Sequence, residues 1–399
     1  MSAGNGGPPE GSPAAGTGVR LRVARQARGY SQQQLAGMAG VSRQAVSAVE
    51  AGHSDPSLRV ALSLSGALGV TVEELFGPGS PAPAVAARSV APLGGHGSRV
   101  ALAPLGDSFV ALPLSGDSAT RAGFQPAGGL VADGLAAGGL VAGGLAAEAR
   151  PEDPHHPTMV RPLGPPRPTL VVAGCDPALP LLETPLALLD PPIAFTWWSC
   201  ASAEALRLAE LGLVHAAGAH LRGHGGEYNT GAAPERLRRR GAEVIGFSSW
   251  REGLVVRPEV REGICGLADV AHHGLRLVNR EKGSEARHVL DREARRLGIE
   301  PAAIPGYGTR ATGHLQVASA VAAGLADAGV ASEPAALAYG LAFLPLAAER
   351  FDLVIPAAQT GSREVQGLLK VLTSPWLLAQ LASLPGYDPA RCGEHVATL

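Results

Sequence analysis

The sequence predicts an α + α/β chain: a small all-helical unit at the N-terminus, a Gly/Pro-rich linker, and a large α/β body at the C-terminus. Three observations predict it. Residues 19–76 alternate short amphipathic runs with turn signals. Glycine and proline, 53 and 33 in number, crowd the first 18 residues and the stretch from Gly77 to Pro168. From Thr169 onward, apolar runs of strand length alternate with helical stretches.

Bulk composition narrows the function classes. With 399 residues, 46% of them hydrophobic and 17% charged, the chain has the means to bury two or three cores. A formal net charge of −2 excludes a uniformly basic nucleic-acid coat but leaves room for a local DNA-binding face. The four cysteines, Cys175, Cys200, Cys265 and Cys392, stand far apart with no CxxC pair. That pattern fits a reducing compartment better than a disulfide framework or a zinc site. Residues 1–18 show neither a cationic n-region nor an apolar h-region, so a cytoplasmic location is expected.

In chain order, residues 1–18 read as a disordered tail and 19–77 as the helical unit, with 78–166 as the linker. Within that linker, 98–112 has the pattern of a β-hairpin: Ser98–Ala103 and Ser108–Leu112 flank Pro104-Leu105-Gly106-Asp107. Residues 128–147 repeat a five-residue unit as GGLVA, DGLAA, GGLVA, GGLAA. Glycine is too frequent there, and Asp133 too polar, for a membrane span, so low-complexity linker is expected. Residues 167–399 form the α/β body. Its expected strands are Leu170–Ala173, Ile193–Trp198, Val214–Ala217, Val244–Phe247, Leu275–Val278, Ala326–Val330 and Leu353–Ile355.

The helical unit carries the sharpest pattern. Ser31 is placed to N-cap one helix, Gly40-Val41-Ser42 to make a turn, and Ser42 to N-cap the next helix, Arg43–Ala51. Ala36, Val41, Val46 and Val49 fall where two such helices must interlock. The string RxxRGYSQxxLAxxAGVSRQAVSxxExG, followed by PSLRVALSLSGALGV and VEELF, resembles the Xre/Cro/phage-repressor family of helix-turn-helix domains over all of residues 19–76.

The resemblance implies double-stranded operator DNA as a partner. Gln32 is expected to bond a phosphate, and Ser42, Arg43, Gln44 and Ser47 to lie at the DNA surface. Arg43, Gln44 and Ser47 are expected to face base edges: Gln pairs bidentately with adenine and Arg with guanine. The family's internal salt bridge maps onto Arg25 and Glu50. Paired half-sites imply a homodimer. A helix-turn-helix scaffold that only docks protein is the duller reading, and these polar residues suit an apolar docking face poorly.

In the α/β body, motifs recur at strand ends: Gly174-Cys175-Asp176-Pro177, Trp198-Ser199-Cys200-Ala201-Ser202, and Asn279-Arg280 leading to Lys282-Gly283-Ser284-Glu285-Ala286-Arg287. Helix N-termini converging after strands make an anion- or dipole-binding cleft. These motifs, with AGAHL, GEYN, NREKGSEAR, TGHLQVASAVAAGLADAGV, LAFLPLAAERFDLVIP and LPGYD, resemble the periplasmic-binding-protein-like domain of cytoplasmic regulators and molybdopterin-biosynthesis proteins.

That family, related to molybdate-binding proteins, implies a two-lobed type II fold with a ligand in the interlobe cleft. Candidate ligand contacts are Asp176, Ser199, Ser202, His220, Glu227, Tyr228, Asn229, Asn279, Arg280, Ser284, Arg287, Tyr307 and His314. Molybdate or tungstate and a molybdopterin-type cofactor are the expected effectors, with an unrelated metabolite as the next alternative. Where the family commonly reads GSGTR this chain has GSEAR, which loosens the transfer of ligand identity. Asp176 and Glu227, if they face inward, would repel an anion, and a ligand with both anionic and amine-like groups meets both sets.

Duller readings stand beside these. His220 also suits a satisfied core position, Trp197-Trp198 a core, and Asp327 a hinge. No third ligand stands at metal spacing from His272-His273, so no metal site is expected. An enzyme acting on the ligand, using Glu227, His220 and Arg287, is the alternative to a regulator, although no nucleophile–base pair is evident. A transport receptor fits poorly with the attached helix-turn-helix pattern.

Overall fold

The computed structural model describes residues 17–76, 83–116, 124–135, 155–223, 228–231 and 233–399. The expected disordered tail up to residue 16, the repeat beyond residue 135, and Glu227 lie outside them. The chain divides into two compact units, Met1–Pro83 and Ala84–Leu399.

The first unit holds five helices: α1 (Thr17–Ala27), α2 (Gln32–Ala39), α3 (Arg43–Glu50), α4 (Leu58–Leu68) and α5 (Val72–Phe76). The sequence sets their ends. Ser31 accepts the Gln34 N–H while the Gln34 side chain accepts the Ser31 N–H, a reciprocal capping box. Gly40 closes α2 in the left-handed region, at φ 65°, and Ser42 caps α3 through the Ala45 N–H at 3.0 Å. Leu21, Leu35, Val46, Val49, Leu64, Leu68 and Leu75 form the core that clamps α2 against α3.

The linker expected over 78–166 is corrected by the structure. Five strands, β1 (Val85–Ser89), β2 (Arg99–Leu105), β3 (Ser108–Pro113), β4 (Gly129–Leu135) and β5 (Thr158–Pro162), close into a barrel in the order β1-β3-β2-β4-β5. The predicted hairpin is β2–β3, but its turn is Gly106-Asp107 alone, because Pro104 and Leu105 already pair with Phe109 and Ser108.

The reason for the misreading is packing. A Cβ at Gly129 would lie 2.5 Å from the Val160 side chain, and one at Gly128 would lie 2.8 Å from the Leu102 nitrogen. The first GGLVA unit is therefore glycine-rich because neighbouring strands approach closely, not because the chain is slack. Barrel residues Val90, Ala103, Leu105, Val110 and Leu112 pack with Val171, Ala173 and Leu206 of the α/β body in one apolar core.

The α/β body is built on one sheet ordered β11-β10-β12-β9-β13-β8-β6-β7, with β14 pairing to β9. Its strands are β6 (Thr169–Gly174), β7 (Ala194–Ser199), β8 (Ala216–Ala219), β9 (Ala242–Val256), β10 (Leu277–Arg280), β11 (Arg310–Ala311), β12 (Ala328–Ser332), β13 (Ala342–Pro356) and β14 (His395–Thr398). β9 and β13 are each 15 residues long and antiparallel, and they run through both lobes. The first lobe takes β6–β8 and the C-terminal helices, and the second takes β10–β12.

The sequence reading stopped these two strands at four and three residues. Cores around Phe247 and Phe351, and around Val171 and Leu208, flank the first lobe's sheet. Those around Leu267 and Leu290, and around Val317 and Val321, flank the second. Among the described residues no helix is long and apolar enough to cross a membrane.

Candidate functional site

Two constellations stand out, one in each unit. On α3, the buried positions Val46, Val49 and Glu50 turn inward, while Ser42, Arg43, Gln44 and Ser47 are exposed. Helical spacing puts Arg43, Gln44 and Ser47 on one solvent-facing stripe. The Ser42 hydroxyl already serves as cap acceptor.

Behind the stripe, the Glu50 carboxylate accepts Arg25 Nε at 2.6 Å and NH2 at 3.0 Å, matching the expected bridge. Gln32, expected at a phosphate, donates its Nε2 to Glu50 at 2.9 Å in the free protein. Burial would raise the Glu50 carboxyl, but Arg25, Gln32 and Arg22 outweigh it and hold it below the ordinary value of 4.5.

The second constellation lies where the two lobes meet. The lobes touch directly: the Ala203 N–H donates to the Gly283 carbonyl at 3.3 Å, and the Arg222 N–H to Glu285 Oε2 at 3.4 Å. Between them, His220 at the end of β8, Trp250 and Glu252 on β9, Arg280 at the end of β10, His314 at a helix start, Ser332 at the end of β12 and Glu349 on β13 are all buried. Strand geometry collects the middle members. Trp250 and Glu252 are two apart on β9 and share a face, and Glu349 pairs directly across from Trp250. An open cleft of about 510 Å³, lined in part by Tyr228, Trp250, Glu349 and Tyr387, leads in from solvent.

The chamber is full of polar atoms without partners. Among the described residues, His220 Nδ1, Trp250 Nε1, both Glu252 oxygens, Arg280 NH1, His314 Nε2, Ser332 Oγ and both Glu349 oxygens are buried with no hydrogen bond. Orphaned groups at this density make the chamber a candidate ligand site, because each one costs the fold free energy until something meets it.

Burial pushes the Glu252 carboxyl up to about 7, with Glu349 adding to it and His220 opposing. Burial also raises Glu349. For His220, burial works against the cation, but Cys175, Glu349 and Glu252 prevail and the imidazolium is favoured. Burial and then the Arg280 charge keep His314 neutral. The Ser332 N–H donates to His314 Nδ1 at 3.2 Å, so the neutral ring carries its proton on Nε2, facing the chamber as a donor.

Of the predicted contacts, His220, Arg280 and His314 reach the chamber, Glu227 lies outside the described residues, and the others are engaged around the chamber. Asp176 is taken up internally: it accepts the Ala178 N–H at 2.8 Å, the Tyr387 hydroxyl at 2.7 Å and the Ser248 hydroxyl at 2.9 Å. Ser202 Oγ accepts the His220 N–H at 3.2 Å, and Ser199 is half-buried at the end of β7. Asn229 sits at φ 62°, accepts the Leu221 N–H and donates to Asp352, which ties its loop down. The Tyr228 hydroxyl donates to the Ala348 carbonyl at the cleft mouth.

In the second lobe, Asn279 accepts the Arg280 N–H and donates to the Tyr307 carbonyl, and Ser284 caps the helix Glu285–Leu297. Arg287 donates to the Arg280 carbonyl at 3.2 Å and stacks over Tyr307 at 4.9 Å, buttressing Arg280 from behind. Glu285, the departure from GSGTR, is engaged by Arg292 at 2.7 Å.

Sequence reasoning missed Trp250, Glu252, Ser332 and Glu349. The available signal was a polar cluster interrupting otherwise apolar runs, Ser248–Glu252 in β9 and Glu349–Asp352 in β13.

Comparison with known proteins agrees with this division. The PBP superfamily domain family matches residues 185–373, and the helix-turn-helix family matches residues 21–75. The uncharacterized protein YvgK of Bacillus subtilis is 32% identical over 43% of this chain, and the chain spans 55% of that relative's length. An uncharacterized protein from the region upstream of a ferredoxin gene in Clostridium pasteurianum is 37% identical over 28% of this chain and 99% of its own length. An uncharacterized helix-turn-helix-type transcriptional regulator of Methanocaldococcus jannaschii is 39% identical over 14% of this chain and 86% of its own. Fold, site and relatives converge: the chain belongs to the Xre-type helix-turn-helix regulators and carries a PBP superfamily domain as its C-terminal body.

Proposed function

We propose that the chain is a cytoplasmic, homodimeric transcription regulator that reads operator DNA through α3 and binds a small anionic effector in the interlobe chamber. Molybdate or tungstate and a molybdopterin-type cofactor are the favoured effectors. One observation carries the sensor half of this reading: the buried, partnerless polar atoms contributed by both lobes, with Arg280 NH1, Trp250 Nε1, His314 Nε2 and Ser332 Oγ able to donate. An anion meets these donors, while Glu252 and Glu349 require something cationic or donating. A phosphorylated pterin brings both kinds of group in one molecule; molybdate brings the anion alone.

In this reading the chamber binds without turnover, and closure changes DNA affinity because the effector prefers the closed lobes. The barrel, which shares an apolar core with the first lobe, gives closure a packed body to act on rather than a slack tether. The test is native mass spectrometry with metal analysis of the full-length chain. The reading expects a co-purifying small molecule that is lost on denaturation and on Arg280→Met. A bare chain whose stability no oxyanion or pterin alters would contradict it.

A further inference from the structure

The acidic half of the chamber holds more negative charge than its neighbours offset. Arg280 is engaged by Glu281 at 2.8 and 2.9 Å, Glu285 by Arg292 at 2.7 Å, and Asp352 by Arg350 at 2.9 Å. Glu252 and Glu349 remain, exposed to 0% and 2%, with none of their four oxygens hydrogen-bonded among the described residues. Two buried carboxylates beside a single His220 imidazolium, 3.7 Å from Glu349, remain undercompensated in one enclosed space, which is costly unless a further cation joins them.

His220 is the group that reaches both. Its Nδ1, also without a hydrogen bond, stands 3.7 Å from Glu349 Oε2. Donor atoms of His220, Glu252 and Glu349 all lie within 4.8 Å of one another. Nitrogen and oxygen ligands sit roughly 2.0–2.2 Å from a first-row ion, so neighbouring ligands stand about 3–3.6 Å apart; the His220–Glu349 pair is at 3.7 Å and the whole set within 4.8 Å, so small side-chain shifts bring it onto an ion. One imidazole and two carboxylates suit a divalent ion of the zinc, manganese or iron(II) class and cancel its charge.

We propose that His220, Glu252 and Glu349 hold such a divalent transition-metal ion in the chamber, the ion displacing the Nδ1 proton of the metal-free His220 ring to solvent. The proposal rests on the reading of the chamber as an effector site. With the two carboxylates neutralised, an anion can approach Arg280 NH1 and Trp250 Nε1 without repulsion. Cys175 Sγ stands 3.1 Å from His220 Nε2, on the other nitrogen of the ring, and orients the imidazole. His314 stays out of the ligand set because its Nδ1 is taken by the Ser332 N–H.

The test titrates chelator-treated full-length protein with Co²⁺, followed by visible absorption and calorimetry. The proposal expects one Co²⁺ per chain, with d–d bands and no thiolate charge-transfer band. Losing an outer-sphere partner alone costs metal sites about 10–100-fold in affinity, so Glu252→Gln and Glu349→Gln should each weaken Co²⁺ binding by at least that much. Circular dichroism checks whether both variants fold. Should either fail to fold, the wild-type spectrum decides, since oxygen- and nitrogen-only ligation is itself the claim.

Absence of saturable Co²⁺ binding, affinity unmoved by both substitutions, or a thiolate band placing Cys175 on the ion would each overturn the assignment. Molybdate added as a probe separates the two claims. A melting shift with molybdate but no Co²⁺ binding removes the metal and leaves the sensor; Co²⁺ binding with no response to any anion does the reverse.

Discussion

Glu50, the last residue of α3, grips Arg25 of α1 on both carboxylate oxygens, at 2.6 and 3.0 Å, while its own side chain is 1% exposed. This contact fixes the angle at which the exposed stripe of α3 is presented. Removing one partner of a nearly buried pair strands the other, so Glu50→Gln should cost about 3 kcal/mol. The pH dependence has a definite sign. The Glu50 carboxyl is held below its ordinary value when folded, so its stabilisation is complete above pH 4.5 and fades as the pH drops through the depressed folded value. Urea denaturation followed down into the carboxylate range should show this acid limb in the wild type and a flatter one in Glu50→Gln.

On the exposed stripe of α3, Arg43 and Gln44 reach outward and make no side-chain hydrogen bond among the described residues. Arg43→Ala and Gln44→Ala should each remove about 1–3 kcal/mol of discrimination between operator and unrelated duplex, with no change in melting temperature. Footprinting that shows unaltered selectivity for both variants would take α3 out of the groove.

Within the chamber, Arg280 and Arg287 should behave differently. Arg280 presents its partnerless NH1 directly, whereas Arg287 acts through the Arg280 carbonyl and the Tyr307 ring. Arg280→Met should abolish effector-induced thermal stabilisation, and Arg287→Ala should reduce it. Equal shifts in Arg287→Ala and wild type would detach Arg287 from the site.

Behind His220, Gly218 of β8 faces the ring of Phe351. A Cβ at Gly218 would lie 2.2 Å from the Phe351 Cζ, so Gly218→Ala displaces a ring that stands 6.1 Å from His220 and 5.6 Å from Trp250. Overpacking of this kind costs about 1–3 kcal/mol, and the displaced ring should also weaken effector binding, as melting curves with and without effector would reveal.

What the sequence made legible follows from how local each interaction is. Ser31 and Ser42 cap helices through bonds three residues long, and the Arg43–Glu50 stripe needs only helical periodicity. The helical unit was therefore readable. Asp176 stands out in the sequence but its internal bonding does not, because the Tyr387 hydroxyl that it accepts is 211 residues away.

The centres of β9 and β13 were missed because they line the polar chamber. Strands lining a polar chamber place Glu252 and Glu349 where an apolar residue would otherwise signal burial. The barrel escaped because Gly128 and Gly129 serve close strand packing, and composition does not distinguish that from a linker.

The most direct test of the whole account is selection of genomic fragments by the purified full-length chain, run with and without a small-molecule extract and sequenced afterwards. The account predicts enrichment of a paired half-site motif whose recovery changes with the extract and disappears in Gln44→Ala. Equal recovery of all fragments under both conditions would contradict it.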